Sequence, residues 1–316
     1  MSMPTTPDSP ASPRRVARTT AIEWTEATWN PTTGCDRVSP GCDHCYAMTL
    51  AKRLKGMGSA KYQTDGNPGT SGPGFGLAMH KDALGIPLRW RAPRRIFVNS
   101  MSDLFHDKVS DEFIAEVFAV MAVTRRHTYQ VLTKRHGRMR SLVSTRRFQT
   151  LVDNRAFKRN VWSKHAWPLA NVWLGVSVED QRWADIRIPA LMDTPAAVRF
   201  LSCEPLLGPV RLPFDREPFL SQVNACTCYG GNTVYGHEPG CGTEPGPAWG
   251  NLHWVITGGE SGPDFRPADP QWFRTIRDQC LTAGVAYLHK QNGGRTPKST
   301  GRLLDGRTWD QYPDGA

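Results

Sequence analysis

Three cysteines sit close together in the first sixth of the chain: Cys35, Cys42 and Cys45, spaced C-x6-C-x2-C. Thiolates are soft ligands that suit zinc or an iron–sulfur cluster. Gly34, Pro40 and Gly41 break regular structure here and let a loop fold back so that three sulfurs face one centre. The count is informative. A closed structural zinc site takes four protein ligands, whereas a four-iron cluster on three cysteines keeps one iron open for another ligand. A zinc loop completed by His44 or Cys203 is the alternative. A second set, Cys226, Cys228, His237 and Cys241, offers three sulfurs and one nitrogen. That is the ligand set of a structural zinc, or a seat for an auxiliary cluster. Its C-x-C spacing is not the common knuckle, so unligated loop cysteines are the other reading. Cys280 has apolar neighbours at helical spacing and belongs to the core.

Further chemistry follows apolar, strand-like runs. Ile96-Phe97-Val98 leads into Ser100 and Asp103, and Tyr129 to Thr133 leads into Lys134. Asn171 to Ser177 ends at Ser177 and Glu179. Val198 to Ser202 is followed by Cys203 and Glu204. Leu252 to Thr257 runs into Gly258, Gly259 and Glu260, and Val285 to His289 into Lys290 and Gln291. Each has a plainer role available. Ser100 and Asp103 can cap a helix and Lys134 can belong to a solvated basic face, while the two glycines imply close backbone approach to a ligand. Glu204 follows an apolar strand and needs a partner or ligand to offset its desolvation.

These residues need elements to position them. Ile22 to Thr25 reads as a short first strand, and Tyr46 to Met57 as a helix with Lys52, Arg53 and Lys55 favouring its end. Ser110 caps a helix with an apolar face, and Asp269 with Pro270 starts another that Gly284 stops. Six clear strands and two weaker ones, one of them Phe75 to Met79, alternate with helical segments. The rhythm predicts an α/β fold, a parallel βα barrel, full or partial, with its chemistry at the carboxyl ends of the strands. Residues 1–20, rich in Pro and Ser, read as a disordered tail. Residues 21–312 read as one barrel domain interrupted by a Gly/Pro/Cys-rich insertion at 211–250.

Composition narrows the setting. The 316 residues are 39% hydrophobic and 22% charged, and no apolar run approaches the roughly 20 residues that span a bilayer. With no signal-peptide pattern, a cytoplasmic protein is expected, where cysteines serve metal or redox chemistry rather than disulfides. The formal charge is +10, and residues 125–164 hold twelve Lys/Arg against the single acid Asp153, so that window carries +11 and the rest −1. Concentrated positive charge points to a nucleic-acid partner. A basic connection on the barrel exterior is the alternative.

The stretch "NPTTGCDRVSPGCDHCYA" resembles the cluster loop of radical S-adenosylmethionine (SAM) enzymes, whose usual spacing is C-x3-C-x2-C. More specifically it is similar to the opening motif of a phage-associated three-cysteine-motif family considered radical-SAM-like. "RRIFVNSMSDLFHD", "VLTKR", "NVWLGVSVEDQ", "RFLSCEPLLGP", "WVITGGESGPDFRP" and "LHKQNGGRTPK" continue the likeness over residues 20–312. The resemblance implies a [4Fe-4S] cluster on Cys35, Cys42 and Cys45, with SAM chelating the fourth iron and His44 near the adenine. One electron, from a reductase or flavodoxin-type donor, would cleave the sulfonium to a radical that abstracts hydrogen from the substrate. Their places at the carboxyl ends of the strands make Ser100, Ser177, Glu179, Gly258, Gly259 and Glu260 the expected cofactor contacts, and Asp103, Lys134 and Glu204 the expected catalytic residues. Gly258-Gly259-Glu260 resembles the element that holds the methionine amino group in such enzymes, though it stands late in this chain. Nucleic acid or a nucleotide is the expected substrate, with a base that must leave its stack to reach a buried radical. A peptide substrate and a non-enzymatic, metal-stabilised nucleic-acid-binding protein are the rivals.

Overall fold

The computed structural model describes residues 20–159, 165–215 and 252–313. In chain order the strands are β1 (Ala27–Trp29), β2 (Thr32–Thr33), β3 (Ala78–Met79), β4 (Arg95–Val98), β5 (Thr128–Thr133), β6 (Val172–Ser177), β7 (Val198–Cys203), β8 (Trp254–Gly258) and β9 (Ala286–Gln291). The helices are α1 (Tyr46–Gly56), α2 (Ile86–Arg89), α3 (Asp111–Val123), α4 (His136–Val143), α5 (Arg146–Phe157), α6 (Gln181–Met192) and α7 (Pro270–Thr282). Seven strands form one all-parallel sheet in the order β1-β4-β5-β6-β7-β8-β9. The sheet curls into a half-barrel, with β1 and β9 at its edges.

Side-chain alternation along the strands explains both faces. Val98, Val131, Leu174, Val176, Leu201, Cys203, Val255 and Tyr287 point outward and pack under the helices against Phe118, Phe148, Leu191, Phe273 and Cys280. Strands covered on both sides read as near-continuous apolar runs, which is why the sequence marks them so plainly. The opposite parity is aromatic. Phe97, Trp173, Phe200, Trp254, Ile256 and Leu288 meet Trp24 and fill the lower part of the concave face as a floor. Gly175 is paired with Phe200 in register, and a Cβ there would stand 2.6 Å from three of its ring atoms. The floor needs that glycine.

Several expectations shift. Ile22 to Thr25 is not a strand; Trp24 turns into the floor with its ring 4.5 Å from that of Phe97, and the edge strand starts at Ala27. Of Phe75 to Met79 only the last two residues pair, antiparallel to β2 and outside the main sheet, while Phe75 packs under α1. The basic connection after Lys134 contains two helices, and Thr145 caps the second by accepting from the Phe148 amide. Ser110, Asp180 and Asp269 cap α3, α6 and α7 in the same way. The segment ending at Tyr312 runs along β9, where the His289 amide donates to Trp309 O. Residues 1–19 and the set Cys226, Cys228, His237 and Cys241 lie outside the described residues. No helix among the described residues is long and apolar enough to cross a membrane.

One buried histidine gives the fold an acid sensitivity. His289 is fully buried, with Nδ1 at 3.0 Å from Thr257 Oγ1 and Nε2 at 2.9 Å from Asn292 Oδ1. Burial lowers its pKa to about 4 from 6.5. The folded value lies below the unfolded one, so the stabilisation is present above pH 6.5 and is lost as pH falls towards 4. The shift corresponds to about 3 kcal/mol. Urea midpoints measured from pH 7 to pH 4 should fall more steeply in wild type than in His289→Gln. Parallel curves would refute the assignment.

Candidate metal centre

The cysteine loop lies over the carboxyl ends of the strands and is held at three places. Gly34 starts it in a left-handed conformation, φ +85°, against the Gly76 carbonyl, which a Cβ would meet at 2.1 Å. On the β4 side, Ser102 Oγ donates to Gly34 O at 2.8 Å, and Asp36 accepts from Thr70 Oγ1 at 2.5 Å and Ser71 Oγ at 3.1 Å and faces His106 Nε2 at 3.0 Å. At the end of β6, the fully buried Glu179 accepts from Ser39 Oγ at 2.6 Å. A Cβ on Gly41 would stand 2.4 Å from Glu179 Cγ, so the loop lies directly on this side chain. At the end of β8, Glu260 Oε2 faces His44 Nδ1 at 2.9 Å, and Arg266 joins the two by donating to both Glu260 oxygens, to Pro40 O at 2.9 Å and to Asp43 at 3.2 Å.

Glu179 also carries the electrostatics. Lys134 Nζ lies 3.1 Å from its Oε1 and Arg187 Nη1 2.8 Å from its Oε2. Arg187 is itself fully buried, with its guanidinium over the Trp183 ring. Desolvation raises the Glu179 pKa, but these two cations and the Ser39 hydroxyl outweigh it and leave the carboxylate below its ordinary range. Asp103 is spent on β5: it accepts from Thr133 Oγ1 at 2.7 Å, from the Lys134 amide at 3.0 Å and from the Phe105 amide at 3.0 Å, which aims Lys134 at Glu179.

The three cysteines are half-buried. Burial, then the charge of Asp103, pushes Cys35 up to about 12 against the pull of Arg135, and burial raises Cys45. The charge of Cys42 bears on both neighbours, and Lys134 bears on Cys45. No three His, Cys, Asp or Glu side chains among the described residues converge closely enough to hold a single metal ion. A four-iron cluster is larger than an ion and takes its thiolates further apart. The donor set fits such a cluster: three soft thiolates on one pinned loop, with Lys134 and Arg135 close enough to offset added negative charge. Cys203 is buried in the outer core with Cys280 and does not reach this loop, so it supplies no fourth zinc ligand. His44 is engaged by Glu260.

The remaining expected residues sit around the mouth in different ways. Glu204 pairs with Lys290 at 2.5 Å on β9. Ser100 donates to Asn30 at 3.2 Å, and its carbonyl accepts from Tyr46 Oη at 2.5 Å. Ser177 is buried, and its carbonyl accepts from Arg187. Gly258 makes room for the Glu204 carboxyl, which a Cβ would meet at 3.1 Å, and Gly259 lies against the Asn292 backbone, 2.2 Å from where its Cβ would be. The close approaches of these glycines are to the chain itself. Both oxygens of Glu179 and of Glu260 are occupied by protein partners, so these two residues hold the loop. The sequence reading missed Arg187, Arg266 and Tyr46. Arg187 lies two helical turns beyond Glu179, and Arg266 lies in a loop with no periodicity to mark it.

The basic window is not one surface. Lys134 turns into the mouth, Arg138 pairs with Asp111, Arg140 with Asp193, and Arg155 and Arg159 with Glu116. Arg125, Arg146, Arg147 and Lys158 are exposed in the outer helical layer.

No curated protein matches the chain. Among solved structures, spore photoproduct lyase complexed with dinucleoside spore photoproduct aligns at TM-score 0.36 and 12% identity, over 84% of this chain and 64% of that one. A cysteine-to-alanine mutant of the same lyase, with dinucleoside spore photoproduct, aligns at TM-score 0.33 and 14% identity, over 55% and 44%. This chain thus spans about half to two thirds of the length of those proteins. Residues 19–313, nearly the whole chain, match one family, and the protein belongs to it: DUF5131, described as a protein of unknown function.

Proposed function

We propose that this protein is a radical-SAM-like iron–sulfur enzyme of the phage-associated three-cysteine-motif kind. In this reading it is one barrel domain over residues 21–312, works in the cytoplasm and acts on a nucleic acid or nucleotide in modification or repair. The observation that carries the reading is the position of the loop: three cysteines, with no fourth metal ligand grouped with them among the described residues, pinned over the carboxyl mouth of a parallel half-barrel, the face on which such folds do chemistry. Cys35, Cys42 and Cys45 would hold the cluster. When bound, it would supply the one-electron reduction that cleaves SAM, with the electron coming from a reductase or flavodoxin-type donor.

The chain's own residues have separable tasks. Glu179 and the Glu260–Arg266 pair orient the loop before any ligand arrives. Asp103 fixes Lys134 beside Cys45 and Glu179. The aromatic floor closes the concave face from below and excludes water from it. Glu204 and Lys290 present an acceptor and a donor at the rim. The overall charge of +10, with exposed Arg125, Arg146, Arg147 and Lys158, supports a polyanionic substrate.

The test is anaerobic reconstitution with iron and sulfide, then reduction with dithionite in the presence of SAM, with 5′-deoxyadenosine followed by mass spectrometry. Wild type should form it and Cys42→Ala should not. A protein that takes up only colourless zinc, with no visible absorbance after reconstitution, would overturn the reading.

A further inference from the structure

Helix α1 is turned the wrong way round for a helix that serves only the core. Its buried residues are the small Ala47 and Ala51, whereas Tyr46 is 57% exposed, Leu50 38% and Met57 69%. Each of the other helices exposes at most one large apolar side chain among the described residues. Met57 follows the last helical residue and continues its winding, with its amide donating to Arg53 O at 3.0 Å. Tyr46, Leu50, Arg53 and Met57 thus stand at i, i+4, i+7 and i+11 and form one outward row. The Tyr46 hydroxyl donates to Ser100 O at 2.5 Å, which fixes the ring where it stands. Thr49 and Lys52 are exposed in the next row. The helix carries Lys52, Arg53 and Lys55 and no acid. Lys55 takes Asp65 at 2.6 Å, while Lys52 and Arg53 have no carboxylate partner among the described residues.

Tyrosine, methionine and arginine are residue types that protein interfaces concentrate at their centres, and tyrosine and arginine often carry the binding energy. The row also lies beside the cysteines. Cys45 precedes Tyr46 directly. The buried side of α1 packs with Tyr62, Phe75 and Met101 in a small core of its own, and Cys35 and Cys45 lie against that core. The row therefore looks outward from the same small core on which two of the three sulfurs rest. A polyanion would take the two cations and leave Leu50 and Met57 in water. A protein with an apolar centre and acidic margins would cover the whole row together with Lys52.

We infer that the outer face of α1 is the docking surface of the one-electron donor, a small acidic carrier protein of the flavodoxin or ferredoxin type. The inference rests on the reading of the cysteine loop as the seat of a cluster. The transfer exchanges no atom: the carrier is oxidised by one electron and the cluster is reduced by one. Encounters of this kind are small and weak, and attraction between unlike charges speeds them.

The full chain is titrated by calorimetry at low salt with an acidic flavodoxin, with an acidic ferredoxin and with a short single strand of DNA. Lys52→Glu with Arg53→Glu should weaken carrier binding about tenfold or more, and added salt should weaken wild type in the same direction. Arg146→Glu with Arg147→Glu makes the same change of charge on α5 and should cost less than about threefold, since it acts only through the screened field. Leu50→Ser with Met57→Ser should weaken binding about fivefold and leave the salt dependence as it is. All three variants should keep the urea midpoint of wild type, because the replaced side chains are exposed. No binding of either carrier, or equal losses from the α1 and α5 charge pairs, overturns the inference. Loss of strand binding in place of carrier binding in the α1 charge pair would assign the face to nucleic acid, and a dimer that this pair dissolves, with no carrier bound, would assign it to a second copy; either result overturns it too. Carrier binding that depends on α1 in a protein that takes up no iron would sink the cluster reading and leave the carrier surface standing. Formation of 5′-deoxyadenosine under dithionite by a protein that binds no carrier at α1 would do the reverse.

Discussion

Replacing Glu179 by alanine is expected to cost the fold about 3–5 kcal/mol and to abolish iron loading, because it strands the buried Arg187 and the half-buried Lys134 beneath the cysteine loop. The side chain is fully buried and takes Lys134 on one oxygen and Arg187 on the other. Burying a charge without a partner is among the most costly single events in a protein interior. Arg187 is fully buried too, so it cannot swing out to water without unpacking α6. The same carboxylate holds Ser39 and supports Gly41, so the loop loses its footing together with the charge balance. Two measurements separate these consequences. Urea unfolding gives the stability loss, and the rate at which an aromatic disulfide reagent labels Cys42 in metal-free protein gives the freedom of the loop. Adding Lys134→Met to Glu179→Ala removes one stranded cation and should recover part of the stability while leaving Cys42 fast to react. A stability loss below about 1 kcal/mol would mean that water reaches the pair and that Glu179 is no keystone.

That keystone was only half visible in the sequence. Glu179 stood out as a polar residue after an apolar strand, and the strand itself was legible because burial on both faces leaves an almost unbroken apolar run, Val172 to Val176. The direction in which Glu179 points was not legible. A carboxylate at a strand end can face a ligand or a loop, and the choice depends on Arg187 and Ser39, which approach from other elements. Glu260 shows the same limit: its role is set by Arg266, which a turn brings back onto it. Gly258 and Gly259 read as places where a ligand comes close to the backbone, whereas the groups that approach them in the structure are the Glu204 carboxyl and the Asn292 backbone. Trp24 misled for a different reason. An apolar residue in a short β-like run reads as strand, yet here it is a side chain that completes a floor built from five other elements, and such non-local packing leaves no periodic trace. The basic window was legible as a sum of charge and not as a surface. Summed charge counts every arginine, whereas Arg138, Arg140, Arg155 and Arg159 are matched by acids that lie far from them in sequence.

The floor under the mouth gives the second large effect. Trp254→Ala should destabilise the protein by about 3–5 kcal/mol, the range for removing a large aromatic from a packed interior. Trp254 is fully buried. Its ring centroid lies 5.8 Å from Trp173, 5.8 Å from Phe200, 6.2 Å from Trp24 and 5.1 Å from Tyr312. Its indole N–H donates to Gln311 O at 2.9 Å. One side chain thus joins β6, β7 and β8 to the segments before β1 and after β9, the two ends of the open sheet. Alanine would leave a void between rigid rings that cannot close around it, and an accepting carbonyl without its donor. Trp254→Phe keeps most of the volume and loses the hydrogen bond, so it should cost clearly less. The comparison in urea, with equal slopes for all three proteins, isolates packing from any change in the unfolded chain. If alanine and phenylalanine cost the same, the hydrogen bond rather than the ring holds the floor. If neither costs more than about 1 kcal/mol, the concave face is not sealed from below and the dry site above it loses its physical basis.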